Sequence, residues 1–598
     1  MKGGNMQVLR LAAVVGLVAA GALVPGVCAG GEGAKEAPKK TVQVVEVVLQ
    51  GEIAEQRAVE SPFGPSGHVL REYTASIRKA AKDDDVRAIL LRLNYPSLGL
   101  AKRQELLDAI GEFKAAKKKV YCYLEACGNG DYLVACSADK VCAPPGGMIL
   151  LTGLAAQVTF FKGTLDWAGI QAEMLHFGKH KAAAEPFTRD SLSEENRQVL
   201  NELLDDLYAQ FVATIAKGRG LSADEVKGKI DHGPYGAHEA RIHHLIDDVA
   251  YFDQFLDSIG QELGGKVDLV RDYHHLGPKG PDLSELNLFS FFAALKPKPD
   301  IPENDRPKVA IVYATGMIVF GQPSWLSGSV VTAQEIQKAF QKAREAPTVK
   351  AVVLRVDSPG GSALVSDLIW REVERTRKAG KPVVASMSDV AASGGYYISM
   401  GADAIVAQPA TTTGSIGVVG GKLVLRGLYG KLGITKEILA RGKNATLFSE
   451  YTPFSDDERK RVEALMKGIY DDFVHKAALG RSPKLSHDDM EKLATGRVWT
   501  GREAQKLKLV DALGGLKEAF DLAVEKAGLK GQDVQPVVLP REKSFLEALF
   551  SPSVQAPQLL GGLPLPEPVL RTLPCMQVLD ALSREQALTV MPYLVEIR

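Results

Sequence analysis

Val86-Arg-Ala-Ile-Leu-Leu-Arg-Leu-Asn-Tyr-Pro96 returns 263 residues later as Val349-Lys-Ala-Val-Val-Leu-Arg-Val-Asp-Ser-Pro359. Each is a short aliphatic run closed by a turn-forming proline, the signature of a buried strand. Thr41-Val-Gln-Val-Val-Glu-Val-Val-Leu49 and Lys119-Val-Tyr-Cys-Tyr-Leu124 read as further strands around the first copy. Residues 68–83 and the charged amphipathic stretch 101–117 read as helices between them. Strands alternating with helices define a layered α/β domain. The repeat extends far beyond one strand. Tyr132 with Ala138-Asp139 returns as Tyr396 with Ala402-Asp403, Ala168-Gly-Ile170 as Leu432-Gly-Ile434, and Leu245-Ile-Asp247 as Leu509-Val-Asp511, all 264 residues on. A near-constant register over this length means one fold written twice. The copies span about 41–285 and 306–536. The Pro-rich run Lys296-Pro-Lys-Pro-Asp-Ile-Pro within 286–305 reads as a linker, and the Pro-rich tail 537–598 has no legible fold.

Composition excludes some functions. The chain of 598 residues carries 72 Lys+Arg against 72 Asp+Glu, with no basic stripe, so nucleic acid is not expected as a partner. Lys2 and Arg10 precede the apolar run Leu11–Val24 and the small-residue site Pro25-Gly-Val-Cys-Ala29. Residues 1–29 therefore read as a signal peptide cleaved after Ala29, or as a retained N-terminal membrane anchor, with 30–40 as a flexible tether. Either way, the body is exported or held at the outer face of a membrane. Val27 is large for the position before a lipidated Cys28. Four of six cysteines, Cys122, Cys127, Cys136 and Cys142, are close in sequence but form no Cys-x-x-Cys pair. They read as buried thiols, and export permits a disulfide that the sequence does not assign. No metal or cofactor is expected.

The chemistry points to Asp389-Val-Ala-Ala-Ser393-Gly-Gly-Tyr-Tyr397. Ser393 sits between a buried strand and the start of a helix, among small residues that leave its hydroxyl open, a placement used for nucleophilic serines. The repeat register shows that the copies divide the work. Asn129 replaces Ser393 in the first copy, and Leu151 replaces Ser415 of Thr413-Gly-Ser-Ile-Gly417. Conversely, Lys181 of the first copy, beside Ala182-Ala-Ala184, corresponds to Ala445 of the second. A lysine acts as a base only when neutral, and apolar neighbours push its pKa toward working pH. The expectation is a Ser393–Lys181 dyad assembled across the copies. Asp357-Ser-Pro-Gly-Gly361 offers backbone N–H donors for an oxyanion at Gly361, with Gly360 and Gly394 as alternatives. Ser415 is a candidate to orient the lysine amine. His176 and His180 are the rival bases, but no aspartate is placed to support either.

At Lys181-Ala-Ala-Ala-Glu-Pro-Phe187, Asp357-Ser-Pro-Gly-Gly361, Ala391-Ala-Ser393-Gly-Gly-Tyr-Tyr397 and Thr413-Gly-Ser415-Ile-Gly417, the chain resembles the signal peptide peptidase A (protease IV) family in its long, duplicated form. The resemblance covers about 41–536. It implies an α/β ClpP/crotonase-like fold in two tandem copies and a serine endopeptidase with a Ser/Lys dyad, Ser393 as nucleophile and Lys181 as general base. It also implies membrane-associated cleavage of remnant signal peptides and other apolar peptides, at an inner membrane facing the periplasm, by a homo-oligomer that is tetrameric in the long form. Two other classes compete: a crotonase-like acyl-CoA enzyme, against which export argues, and a non-catalytic membrane scaffold.

Overall fold

The computed structural model describes residues 41–57, 69–271, 299–321, 329–541 and 587–591, together with 273, 578 and 596–597. The leader, the tether, most of the linker and much of the tail lie outside the described residues. Among those described, no helix is long and apolar enough to cross a membrane.

Each copy is built on an eight-stranded sheet. In the first, Lys266–Val270, Thr41–Glu52, Val86–Ser97, Lys119–Cys127 and Lys140–Ala143 lie side by side and parallel. In the second, Gln535–Leu539, Lys308–Thr315, Val349–Ser358, Val383–Ala392 and Ala404–Ala407 repeat that row. The paired runs that open the sequence reading are central strands of the two sheets. They are apolar because parallel strands are covered on both faces. On one side of the first sheet, Leu106, Ile110 and Phe113 of the helix Leu100–Ala115 pack against Leu91, Leu93 and Leu124. Burying each such side chain stabilises the fold by roughly 1.5–3 kcal/mol.

The duplication extends to individual hydrogen bonds. Tyr132 Oη donates to the Leu245 carbonyl at 2.6 Å, and Tyr396 Oη to the Leu509 carbonyl at 3.2 Å. Asp139 and Asp403 each accept a backbone N–H at 2.8 Å, from Val120 and Val383. Arg219–Asp247 and Arg481–Asp511 are equivalent ion pairs. Each copy then has a 26-residue helix, Glu194–Arg219 or Asp456–Arg481, started by Ser193 or Ser455, whose hydroxyl accepts an N–H of the first turn. Cys122, Cys127, Cys136 and Cys142 are free thiols inside the first copy. Burial pushes Cys136 and Cys142 up to about 12, so both stay protonated and unreactive.

A third sheet joins the copies. Its order is Val330–Val331, Met317–Ile318, Gly360–Ser362, Ala587–Val590, Val418–Val424 and Gln171–Phe177. The last strand comes from the first copy and runs antiparallel to Val418–Val424 of the second, from Gln171 against Val424 to Phe177 against Val418. Part of the tail, illegible in the sequence, supplies the strand Ala587–Val590 between Gly360–Ser362 and Val418–Val424.

Candidate active site

The strand Gln171–Phe177 ends where it delivers Lys181 into the second copy. The turn that follows is threaded between two second-copy segments. His180 N–H donates to the Thr495 carbonyl at 2.7 Å, and Gly496 N–H to the Ile416 carbonyl at 2.9 Å. Gly496, at φ +82°, leaves space that a Cβ would fill 2.7 Å from Lys181 N, and a Cβ at Gly417 would lie 3.1 Å from Lys181 Cδ. Neither glycine stands out in the sequence, because the packing that requires them is between copies.

Lys181 is 1% exposed and Ser393 fully buried, so the hydroxyl that the small neighbours predict to be open is instead closed off, with Thr589 of the tail strand packed beside Gly394. Lys181 Nζ lies 2.6 Å from Ser393 Oγ, 2.9 Å from Ser415 Oγ and 2.8 Å from the Ser415 carbonyl oxygen. Three oxygens surround one nitrogen, a number that an ammonium and a neutral amine can both engage; the neutral amine would place its two N–H bonds on the Ser415 carbonyl and hydroxyl and accept the Ser393 O–H on its lone pair. Burial alone holds Lys181 well below the ordinary lysine value, and no carboxylate among the described residues pairs with it. Ala182 is buried against Leu200, as the apolar neighbours in the sequence suggest.

Both serines adopt backbone conformations rare for residues with a side chain. Ser393 has φ +56° and Ser415 φ +53°. Ser393 is held there by its N–H on the Gly414 carbonyl at 2.8 Å, and Ser415 by its N–H on the Arg497 carbonyl at 2.7 Å. Strain of this kind persists where the surroundings over-determine it, and it gathers at functional sites. The helix Gly394–Met400 begins at the residue after Ser393.

Of the glycine donors, Gly360 N–H is spent on Ser358 Oγ at 3.2 Å. Gly361, at φ +150°, pairs with Ile318 and Thr589 in the joining sheet. The tail reaches this point directly. Thr589 Oγ1 donates to the Gly361 carbonyl at 3.2 Å, and Met591 N–H to the Pro359 carbonyl at 2.7 Å. The equivalents in the first copy have structural tasks. Asn129 Oδ1 accepts the N–H groups of Thr152 and Gly153, and Leu151 is buried in the core. The rival histidines stand apart from the serine. His180 Nδ1 lies 3.0 Å from Thr495 Oγ1, and His176 Nδ1 3.2 Å from the Gly178 carbonyl oxygen. Among the described residues, His232, Glu239 and His243 bring possible metal-ligand atoms within 4.8 Å of one another. His232 Nε2 is already 3.1 Å from Glu239 Oε1, and none of the three touches the serine–lysine pair.

A duplicated α/β scaffold with a buried serine hydroxyl 2.6 Å from a buried lysine amine points to a class of enzyme, the serine peptidases. The family model described as "Peptidase family S49" matches twice, over residues 112–265 and 375–530, and the chain belongs to that family. It is 35% identical over 523 residues to "Serine protease SPPA, chloroplastic" of Arabidopsis thaliana, covering 87% of this chain and 73% of that protein. It is 31% identical to "Protease 4" of Haemophilus influenzae, covering 75% and 71%, and 29% identical to "Protease 4" of Salmonella typhi, covering 78% and 74%.

Proposed function

We propose that this S49 serine peptidase is an exported or membrane-associated endopeptidase that cleaves apolar peptides, remnant signal peptides among them, with Ser393 as nucleophile and Lys181 as general base. The observation that carries the reading is the 2.6 Å separation of Lys181 Nζ and Ser393 Oγ. In this reading Lys181 takes the Ser393 proton as Oγ attacks the scissile carbonyl. The oxyanion is met by the Gly361 N–H once the pairing of Gly361 with Thr589 of the tail strand opens, and Gly394 N–H is a second candidate because the first N–H groups of a helix have no partner within it. The lysine ammonium gives its proton to the leaving amine, and the acyl-serine ester is then hydrolysed by water deprotonated at the same amine. Ser415 fixes the amine from both its hydroxyl and its carbonyl. The proposed copies, about 41–285 and 306–536, thus each hold half of the site. Cleavage of a synthetic apolar leader peptide, with products identified by mass spectrometry, tests the substrate class. Equal cleavage of a highly charged peptide of the same length would sink it.

The depressed Lys181 pKa gives a signed pH dependence. Activity is expected to rise with pH on an acid limb set by Lys181, well below the ordinary lysine value. Between the folded value and the unfolded one near 10.5, the native state binds fewer protons at this site, so its contribution to stability rises with pH. Lowering the pH through that window therefore removes stability first, and activity is lost only at its acid end, as Lys181 protonates in the folded chain. An activity profile with no acid limb at any pH at which the chain stays folded would contradict a lysine base.

The duplication also supports the homo-oligomer. In the first copy Leu175 is buried against Val418 and Met466 of the second. Its counterpart 264 residues on, Leu439, is 85% exposed, beside the exposed Ile434 and Ile438. The strand Gln171–Phe177 is seated on a neighbouring copy, whereas its counterpart 435–441 belongs to no strand and to no sheet among the described residues. Applying the same relation to the next chain seats 435–441 on residues 154–160 of a second molecule, the counterpart of Val418–Val424. Leu439→Asp is expected to lower the mass measured by light scattering to that of one chain. A wild-type chain that is already monomeric at micromolar concentration would refute this assembly.

A further inference from the structure

The first copy reaches the catalytic loops by a second route, through charge. Lys102, in the first turn of the helix Leu100–Ala115, extends from the first copy into the second. Its Nζ lies 2.7 Å from Asp357 Oδ2 and 3.1 Å from Asp389 Oδ2. Its backbone N–H donates to Asp389 Oδ1 at 3.1 Å. The fit is tight: a Cβ on Gly99 would stand 2.1 Å from Asp389 Cγ. These carboxylates sit at informative places. Asp357 lies on the strand Val349–Ser358, four residues before Gly361, and Asp389 lies four residues before Ser393. Asp357 Oδ1 also accepts the Val390 N–H at 3.1 Å, tying the two segments together.

We propose that Lys102 is a positioning residue: by bridging Asp357 and Asp389 it holds the segment carrying Gly361 in register with the segment carrying Ser393. The inference rests on the reading of Ser393 as nucleophile. Two carboxylates within reach of one amine repel each other unless a cation lies between them. Burial works against the charge on Lys102, but Asp357, Asp389 and Glu55 outweigh it and keep the amine protonated. The neighbouring residue of the same strand follows the same logic with signs reversed. Arg355 of the second copy is fully buried and held by Glu55 at 2.7 and 3.0 Å and by Glu105 at 2.5 Å, both from the first copy. Cross-copy charge pairing therefore holds the end of the strand that leads into Gly361, and Lys102 is the member that reaches both catalytic segments.

Lys102 touches neither the Ser393–Lys181 pair nor the strands Gly360–Ser362 and Val418–Val424 of the joining sheet. Its loss should therefore affect kcat rather than substrate binding. In the full-length chain, Lys102→Met is expected to lower kcat about 100-fold, the size of effect that a misplacement of about 1 Å produces, with KM within about twofold. Lys102→Arg, which can still span two carboxylates, should recover most of kcat, and the acid limb assigned to Lys181 should stay in place. A folded Lys102→Met chain with wild-type kcat and only a lower Tm would overturn the proposal, as would an arginine variant no better than methionine. If Lys102→Met does not fold, Asp389→Asn decides: a fall in kcat at unchanged KM supports the role, and an unchanged kcat refutes it. Ser393→Ala, run alongside, separates the two readings. An inactive Ser393→Ala with a fully active Lys102→Met sinks only the positioning role; an active Ser393→Ala sinks the nucleophile.

Discussion

Lys181→Met, Ser393→Ala and the double variant are expected to lose peptide hydrolysis to the same extent, by about 10,000-fold or more, because the two side chains act as a unit and the second deletion removes nothing that the first has left. The single variants are the informative ones. A serine hydroxyl without a base is a poor nucleophile at neutral pH, and an amine without the hydroxyl has nothing to activate. The expectation for stability runs the other way. Lys181 is buried without a counter-ion, and its burial disfavours the charged form that the unfolded chain carries at neutral pH. Methionine, similar in length and apolar, removes that penalty. The Tm of Lys181→Met should therefore equal or exceed that of the wild type. Steady-state assay on an apolar peptide and thermal denaturation at pH 7 check both halves. A large drop in Tm would mean that the lysine holds the copies together rather than serving chemistry.

Gly361→Ala is expected to cost about 100- to 1,000-fold in kcat, the range for losing one oxyanion donor. Alanine keeps the N–H, so the loss comes from displacement. At φ +150° a side chain is strained, and the added Cβ would stand 1.9 Å from the Ile318 carbonyl oxygen, a backbone atom that cannot swing aside. The segment must shift, and its N–H shifts with it. Gly380→Ala is the control. It also has positive φ, +81°, but its Cβ would meet nothing within 4 Å. It should lose a little stability from strain and no activity. If Gly361→Ala kept wild-type kcat, the oxyanion would have to be held elsewhere.

Much of this was legible in the sequence because duplication turns one chain into its own alignment. The strands that open the reading are local, apolar runs, and a period-independent register placed them without any structure. The same register separated Ser393 from Asn129 and Lys181 from Ala445, which is why the dyad could be expected across copies. What stayed hidden depends on contacts distant in sequence. Gly496 and Gly417 matter only because the Lys181 turn passes between them. Lys102 looks like one more solvated lysine on a charged helix until Asp357 and Asp389, about 255 and 287 residues away, close around it. Positive φ at Ser393 and Ser415 has no composition signal, since serine is not a residue that such angles favour. The tail strand Ala587–Val590 is only four residues long, too short to carry a periodic pattern, and its partners in Gly360–Ser362 and Val418–Val424 lie about 230 and about 170 residues upstream.

The central claim is that Lys181 of one copy activates Ser393 of the other. Trapping the acyl-enzyme tests it most directly. Wild-type enzyme and Lys181→Met are mixed with an activated acyl ester across a pH series, quenched in acid, and the Ser393 peptide is weighed by mass spectrometry. The wild type should gain the acyl mass on Ser393, at a rate that falls as the pH drops through the Lys181 limb, and Lys181→Met should gain none on the same timescale. Acylation of Ser393 in Lys181→Met at the wild-type rate and with the wild-type pH profile would contradict the dyad.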